Sequence, residues 1–167
     1  PRTDAGTSLH HLHRNAGKAI VRLDLASTPA PAQVDELLSG ADLAFVSRGH
    51  GADGDPFDAA ALSARHPHLV VVSITPFGRV GTTASWASTE LVDQALAGVV
   101  YRSGVAELPP VAAPGSYCED VGAVLASVLA LVGLHARDGR GGAGELLDVS
   151  TVAALAQCTD MAVPLWS

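Results

Sequence analysis

Aromatic side chains are scarce in this chain: three Phe, two Tyr and two Trp make up 4% of 167 residues. Apolar residues nevertheless reach 48%, so the core must be built mainly of Ala, Val and Leu. Small side chains of this kind suit close packing of helices on a sheet. Positive charge is also short. Ten Lys and Arg stand against seventeen Asp and Glu, a net charge of −7, which excludes the basic face that a nucleic-acid partner needs. The two cysteines, Cys118 and Cys158, form no spaced pair. That excludes a Cys-based zinc site and fits a reducing, cytoplasmic setting. No signal peptide is visible. The longest apolar run, residues 121–134, is too short for a bilayer and reads as a buried helix, so no membrane partner is expected. The chain opens without Met and stops inside a helical pattern, as a piece of a longer polypeptide would.

What is present is an alternation of strand and helix patterns. Residues 19–25 alternate apolar and polar side chains and read as a strand. Residues 31–38 read as a short helix, opened by Pro31 and followed by Gly40. Residues 43–46 form a second apolar strand. Residues 56–64 read as a helix with Pro56 at its start and Asp55 as N-cap. Residues 69–74, Leu-Val-Val-Val-Ser-Ile, have the near-continuous apolar character of a central parallel strand. A loop with Gly78 and Gly81 covers residues 75–86, and a helix follows over 88–101. After a Pro-rich loop, 102–116, a long helix spans 119–136. A strand over 146–149 and a further helix over 151–163 close the chain. Repeated β–α units predict an α/β fold, a parallel sheet flanked by helices.

Several motifs bear on chemistry. Residues 49–54, Gly-His-Gly-Ala-Asp-Gly, match the glycine fingerprint of dinucleotide-binding folds and follow a strand. The next strand, however, ends without the acid that would hold a ribose, and Asp53 and Asp55 would repel a phosphate. A flexible surface loop is the better reading. A second glycine cluster, residues 139–144, follows a helix instead of a strand and serves to terminate it. His10, His11 and His13, and the pair His66 and His68, lack metal-ligand spacing and read as solvated loop histidines, so no metal is expected. Glu119-Asp120 opens the long helix. Acids are favoured there because unpaired N–H groups and the helix dipole stabilise negative charge. An ionised carboxylate in a dry cleft can also act as a nucleophile.

Taken in order, these segments resemble the class III CoA-transferases, the family of formyl-CoA transferase, carnitine CoA-transferases and α-methylacyl-CoA racemase. Asn15-Ala16-Gly17-Lys18 with the following Val21-Arg22-Leu23-Asp24-Leu25 resembles the family's Asn-x-Gly-Lys turn entering a strand. Leu37-Leu38 with Ala41-Asp42 resembles the next β–α unit. Ser73-Ile74-Thr75-Pro76-Phe77-Gly78 with Gly81 matches the loop after the central strand. Glu90-Leu91-Val92 with Gln94-Ala95 and Gly98 resembles the helix after that loop. Gly142-x-Gly144 with Asp148-Val149-Ser150 matches the closing motif.

The resemblance implies a Rossmann-like sheet belonging to a larger, interlocked two-domain protein. Residues 1–167 would be part of its large domain, without the first strand segment and without the second domain. It implies a homodimer, and transfer of coenzyme A between carboxylic acids, with acyl-CoA and a carboxylic acid as substrates and no permanently bound cofactor. The family nucleophile is an aspartate that opens the long helix. Counting back from Gly142-x-Gly144 and Asp148 without a gap lands on Asp120, with Glu119 the nearest rival. Glu90 is implied as a supporting residue. Lys18, Ser47, Arg48, Phe77 and Gly78 are implied as CoA contacts. Two departures stand out. The racemase branch places a His before the acid of the middle helix; here the pair is Thr89-Glu90, and a Thr cannot exchange an α-proton. The family's Asn-Phe-x-x-Gly loop, with an Arg shortly after, is here Ser47-Arg48-Gly49-His50-Gly51, with Asp55 near the later Arg position. Arg48 is then the cation from a shifted place. The alternatives are a non-catalytic CoA-binding or scaffold relative, an acyl-CoA racemase, and a dinucleotide-binding module.

Overall fold

A computed structural model describes residues 8–24, 26–27, 30–47, 57–105 and 107–159. Among the described residues, ten elements run in the order α1 (Leu9–Arg14), α2 (Ala30–Ser39), β1 (Leu43–Val46), α3 (Ala59–Arg65), β2 (Val70–Thr75), α4 (Glu90–Leu96), α5 (Val99–Arg102), α6 (Tyr117–Gly139), β3 (Leu146–Ser150) and α7 (Thr151–Thr159). The three strands form one parallel sheet in the order β1-β2-β3. Leu43 pairs with Val70, and Val71 with Leu146. The Val-rich β2 lies in the middle and is buried along nearly its whole length, as a strand covered on both faces must be.

Small residues set the depth of the core on one face. Gly122, Ala126, Ala130 and Gly133 form the buried stripe of α6, three and four residues apart as one helical face requires. Ala126 and Ala130 pack on Val70, Val72 and Val149. A Cβ on Gly133 would stand 2.9 Å from both Leu147 and Val70 side-chain carbons, and one on Gly122 would stand 2.5 Å from Thr151 Cγ2. The other face is covered by Leu38 of α2 and Ala59 of α3 around Leu69 and Val71. A third cluster, with Ala97, Val99, Cys118 and Leu155, joins α5, α6 and α7.

The structure revises several sequence expectations. Residues 19–24 are not a strand. Their alternation is real, but a strand needs a hydrogen-bonded neighbour, and here Ile20 and Val21 stand exposed. The helix expected over 88–101 starts at Glu90, with the Thr89 side chain as its cap. It is split in two at Gly98, whose φ of +82° breaks the helical path. The cap of α3 is Asp58, whose carboxylate accepts from Ala60 N at 2.9 Å. Asp55 and Pro56 lie outside the described residues, as do Arg48, Leu25 and the 49–54 glycine segment. His10, His11 and His13 sit on α1, not in a loop. His66 is not a solvated loop residue. It is buried where α3 ends, and its Nε2 lies 2.9 Å from Asp35 Oδ1 of α2. Helix α6 is longer at both ends than expected. By length and composition alone it could cross a membrane, but its small-residue face is committed to the sheet. The glycines of 139–144 do end it: Gly141 and Gly142 have positive φ, and Gly142 N donates to Arg137 O.

Candidate active site

The carboxyl ends of parallel strands open onto helix N-termini, where ligands of α/β folds bind. Here the ends of β1 and β2 meet the starts of α4, α6 and α7 around a cleft of about 990 Å³. Four acids line it: Glu90 and Asp93 from α4, Glu119 and Asp120 from α6. Arg14 and Lys18 are the lining cations among the described residues.

The loop after β2 is held by the strand beside it. Asp148 Oδ2 accepts from Arg79 N at 2.7 Å, and Ser150 Oγ donates to Pro76 O at 2.8 Å. Ser150 Oγ also accepts from Ala153 N at 3.1 Å. The Asp-Val-Ser segment therefore fixes the path of residues 76–79. Gly78 takes φ +81°, and a Cβ there would meet Asp148 Oδ2 at 3.3 Å. Arg79 reaches on to Asp58 Oδ2 at 2.8 Å. That guanidinium holds the Asp58 carboxyl below the ordinary carboxylate range.

Glu90 ties α4 to the start of α6. Its Oε1 accepts from Cys118 N at 2.7 Å and from Gln94 Nε2 at 2.8 Å. The Ser116 side chain makes no capping bond to α6, so a carboxylate from another helix supplies the acceptor that the helix start needs. Glu90 Oε2 and Thr75 Oγ1 are buried without a hydrogen-bond partner, and both residues line the cleft. The buried Gln94 side chain in turn clamps Ala113, donating to its O at 3.0 Å and accepting from its N at 2.7 Å.

Asp93 is 6% exposed, and Ser88 Oγ donates to its Oδ1 at 2.5 Å. Burial pushes its carboxyl above the usual carboxylate range. The Ser88 bond opposes that rise, and the charges of Glu90 and Glu119 add to it. Burial likewise pushes the Cys118 thiol up to about 11, which makes it a poor nucleophile at neutral pH.

Glu119 and Asp120 stand in the first turn of α6 with side chains 67% and 62% exposed. Both are open to solvent among the described residues. Arg14 bridges them. Its Nη2 donates to Asp120 Oδ1 at 2.8 Å, and its Nη1 lies 3.5 Å from Glu119 Oε2. Of the other residues singled out in the sequence, Lys18 and Ser47 line the same cleft. Phe77 and Gly78 stand beside it, with Phe77 edge-on to the lining Trp86 at a centroid distance of 6.1 Å. Arg14, Asp93 and Thr75 had not been marked as site residues. Arg14 is 106 positions from its partner, a separation across which no local pattern signals contact.

Residues 1–166 match the family model described as CoA-transferase family III. The chain is 33% identical over 160 residues to BbsE, the succinyl-CoA:(R)-benzylsuccinate CoA-transferase subunit of Thauera aromatica, covering 95% of this chain and 39% of that protein. It is 28% identical over 162 residues to the acetyl-CoA:oxalate CoA-transferase of Acetobacter aceti, covering 96% and 41%. The fold superposes with a TM-score of 0.88 on a CAIB/BAIF family protein from Brucella suis, at 21% identity, over 99% of this chain and 44% of that one. The chain thus spans about two fifths of the length of these relatives.

Proposed function

The chain belongs to CoA-transferase family III, and from that premise we propose that it forms part of an enzyme that moves coenzyme A between carboxylic acids, with Asp120 as the acyl-accepting carboxylate. The observation that carries this reading is the pair of solvent-open carboxylates on the first turn of α6, at the carboxyl edge of the sheet. The Asp120 carboxylate attacks the carbonyl carbon of an acyl-CoA. The C–S bond breaks, CoA leaves as thiolate, and a neutral mixed anhydride remains. The thiolate then attacks the Asp120 carbonyl and frees the first acid. A second carboxylate attacks the resulting enzyme thioester, and the returning thiolate takes up the new acyl group. Each step exchanges one activated acyl for another, so that no step passes through free acid and free CoA, which is the use of covalent catalysis. An anhydride must be kept from water. The two acids are exposed among the described residues, so that task falls to groups other than these. Glu90 keeps α6 seated, and Lys18, Ser47, Arg48, Phe77 and Gly78 are assigned to CoA.

Glu119 is the second reading, and one observation favours it. It is the α6 carboxylate whose negative charge adds to the upward shifts of Asp93 and Cys118. Asp120→Asn and Glu119→Gln in the full-length protein separate the two. Acyl-CoA-dependent exchange should fall by at least 10³-fold in the nucleophile variant and by less than about tenfold in the other. Retention of exchange in both variants would contradict covalent catalysis from α6. The resemblance also carries the proposal of a homodimer, which light scattering on the full-length protein tests.

A further inference from the structure

The cleft presents a charge problem. Four carboxylates line it, yet the proposed reaction must admit a fifth, that of the acid substrate. The first-turn N–H groups of α6 favour negative charge, but only a cation can form an ion pair with the incoming carboxylate, and the described candidates are Arg14 and Lys18. Arg14 is the one placed at the reacting carboxylates: 2.8 Å from Asp120 and 3.5 Å from Glu119. It projects from α1, a six-residue helix with no buried residue, so it is not locked by a core.

Charge conservation then decides what Arg14 does. This argument rests on the covalent reading above. When the α6 carboxylate attacks the acyl carbon, its negative charge leaves on the CoA thiolate and the side chain becomes a neutral anhydride. When the thiolate attacks that anhydride, the C–O bond breaks and the charge passes to the released acid. In every intermediate the nucleophile is a neutral acyl derivative, and one NH group of Arg14 has lost its carboxylate partner. A guanidinium fork fits a carboxylate through two parallel hydrogen bonds. We infer that Arg14 is the receptor for the carboxylate of the acid substrate: it holds the enzyme's own carboxylate at rest and exchanges it for the substrate's once the enzyme is acylated. The assignment is the same whether Asp120 or Glu119 is the nucleophile, because Arg14 reaches both.

The test uses the full-length protein with succinyl-CoA and acetyl-CoA as donors and succinate, acetate and oxalate as acceptors. Three quantities are read: the hydroxamate formed on α6 when the wild type is quenched with hydroxylamine, the KM for the acyl-CoA donor, and the KM for the acceptor acid. Arg14→Gln should raise the acceptor KM by 10- to 100-fold while the donor KM changes by less than about threefold. Arg14→Lys should recover part of that loss, since it restores charge but not the fork. If the wild type yields a hydroxamate on Asp120 or Glu119 and the Arg14→Gln acceptor KM stays within twofold, the assignment of Arg14 is overturned while the covalent reading stands. If the wild type transfers CoA with no hydroxamate on either residue, the covalent reading itself fails, and the role of Arg14 fails with it. Thermal melts of both variants exclude misfolding, which the exposed position of Arg14 already disfavours.

Discussion

Asp93 carries a cost that its fold does not repay. It is buried near Glu90 and Glu119 with a hydrogen bond from Ser88, and burial raises its carboxyl above the ordinary value of 3.8. The sign of the stability effect follows from linkage. Below 3.8 both folded and unfolded chains hold the proton, and no penalty arises. As pH rises through the window between 3.8 and the higher folded value, the unfolded chain releases the proton more readily and stability falls. Asp93→Asn should therefore raise the melting temperature of the full-length protein at pH 7, and the gain should vanish near pH 4. A variant less stable than wild type at pH 7 would contradict this. At this scale the sequence was only partly legible. Glu119 and Asp120 could be marked because acids at helix starts have a local signature, and Glu90 through the family resemblance. Arg14 and Asp93 could not, because their roles depend on which helix they meet.

Helices α6 and α7 meet at Gly122, where contact with Thr151 leaves no room for a methyl group. Gly122→Ala should destabilise the protein by about 1–3 kcal/mol through overpacking, read as a lower melting temperature, despite the higher helix propensity of Ala. An unchanged or higher melting temperature would show that α7 can shift. Elements with an internal signal were readable from sequence: the Val-rich β2, the long apolar run of α6, the glycine turn that ends it. The strand expected at 19–25 was not formed over 19–24, because alternation reports amphipathicity and not the presence of a neighbour to pair with. The break at Gly98 was missed for a related reason. A lone glycine within a helical pattern is compatible with either continuation or a left-handed turn, and here the packing of Val99 beside Cys118 and Leu155 accompanies the turn.

On the scale of the molecule, the chain belongs to CoA-transferase family III, its described residues form an α/β unit around a three-stranded sheet, and it spans about two fifths of its relatives. Its carboxyl edge gathers residues from the whole length of the segment: Arg14 from α1, Glu90 from α4, Asp120 from α6. The order of motifs made the family readable from sequence, whereas the ion pair across 106 positions needed three dimensions. The central claim is that a carboxylate of the first turn of α6 becomes acylated. The most direct measurement is to incubate the full-length protein with acyl-CoA donors, quench with hydroxylamine, and locate the modified peptide by mass spectrometry. The account predicts a hydroxamate on the Tyr117–Gly139 helix, at Asp120, or at Glu119 if the second reading holds. Turnover with no hydroxamate on either residue would contradict it.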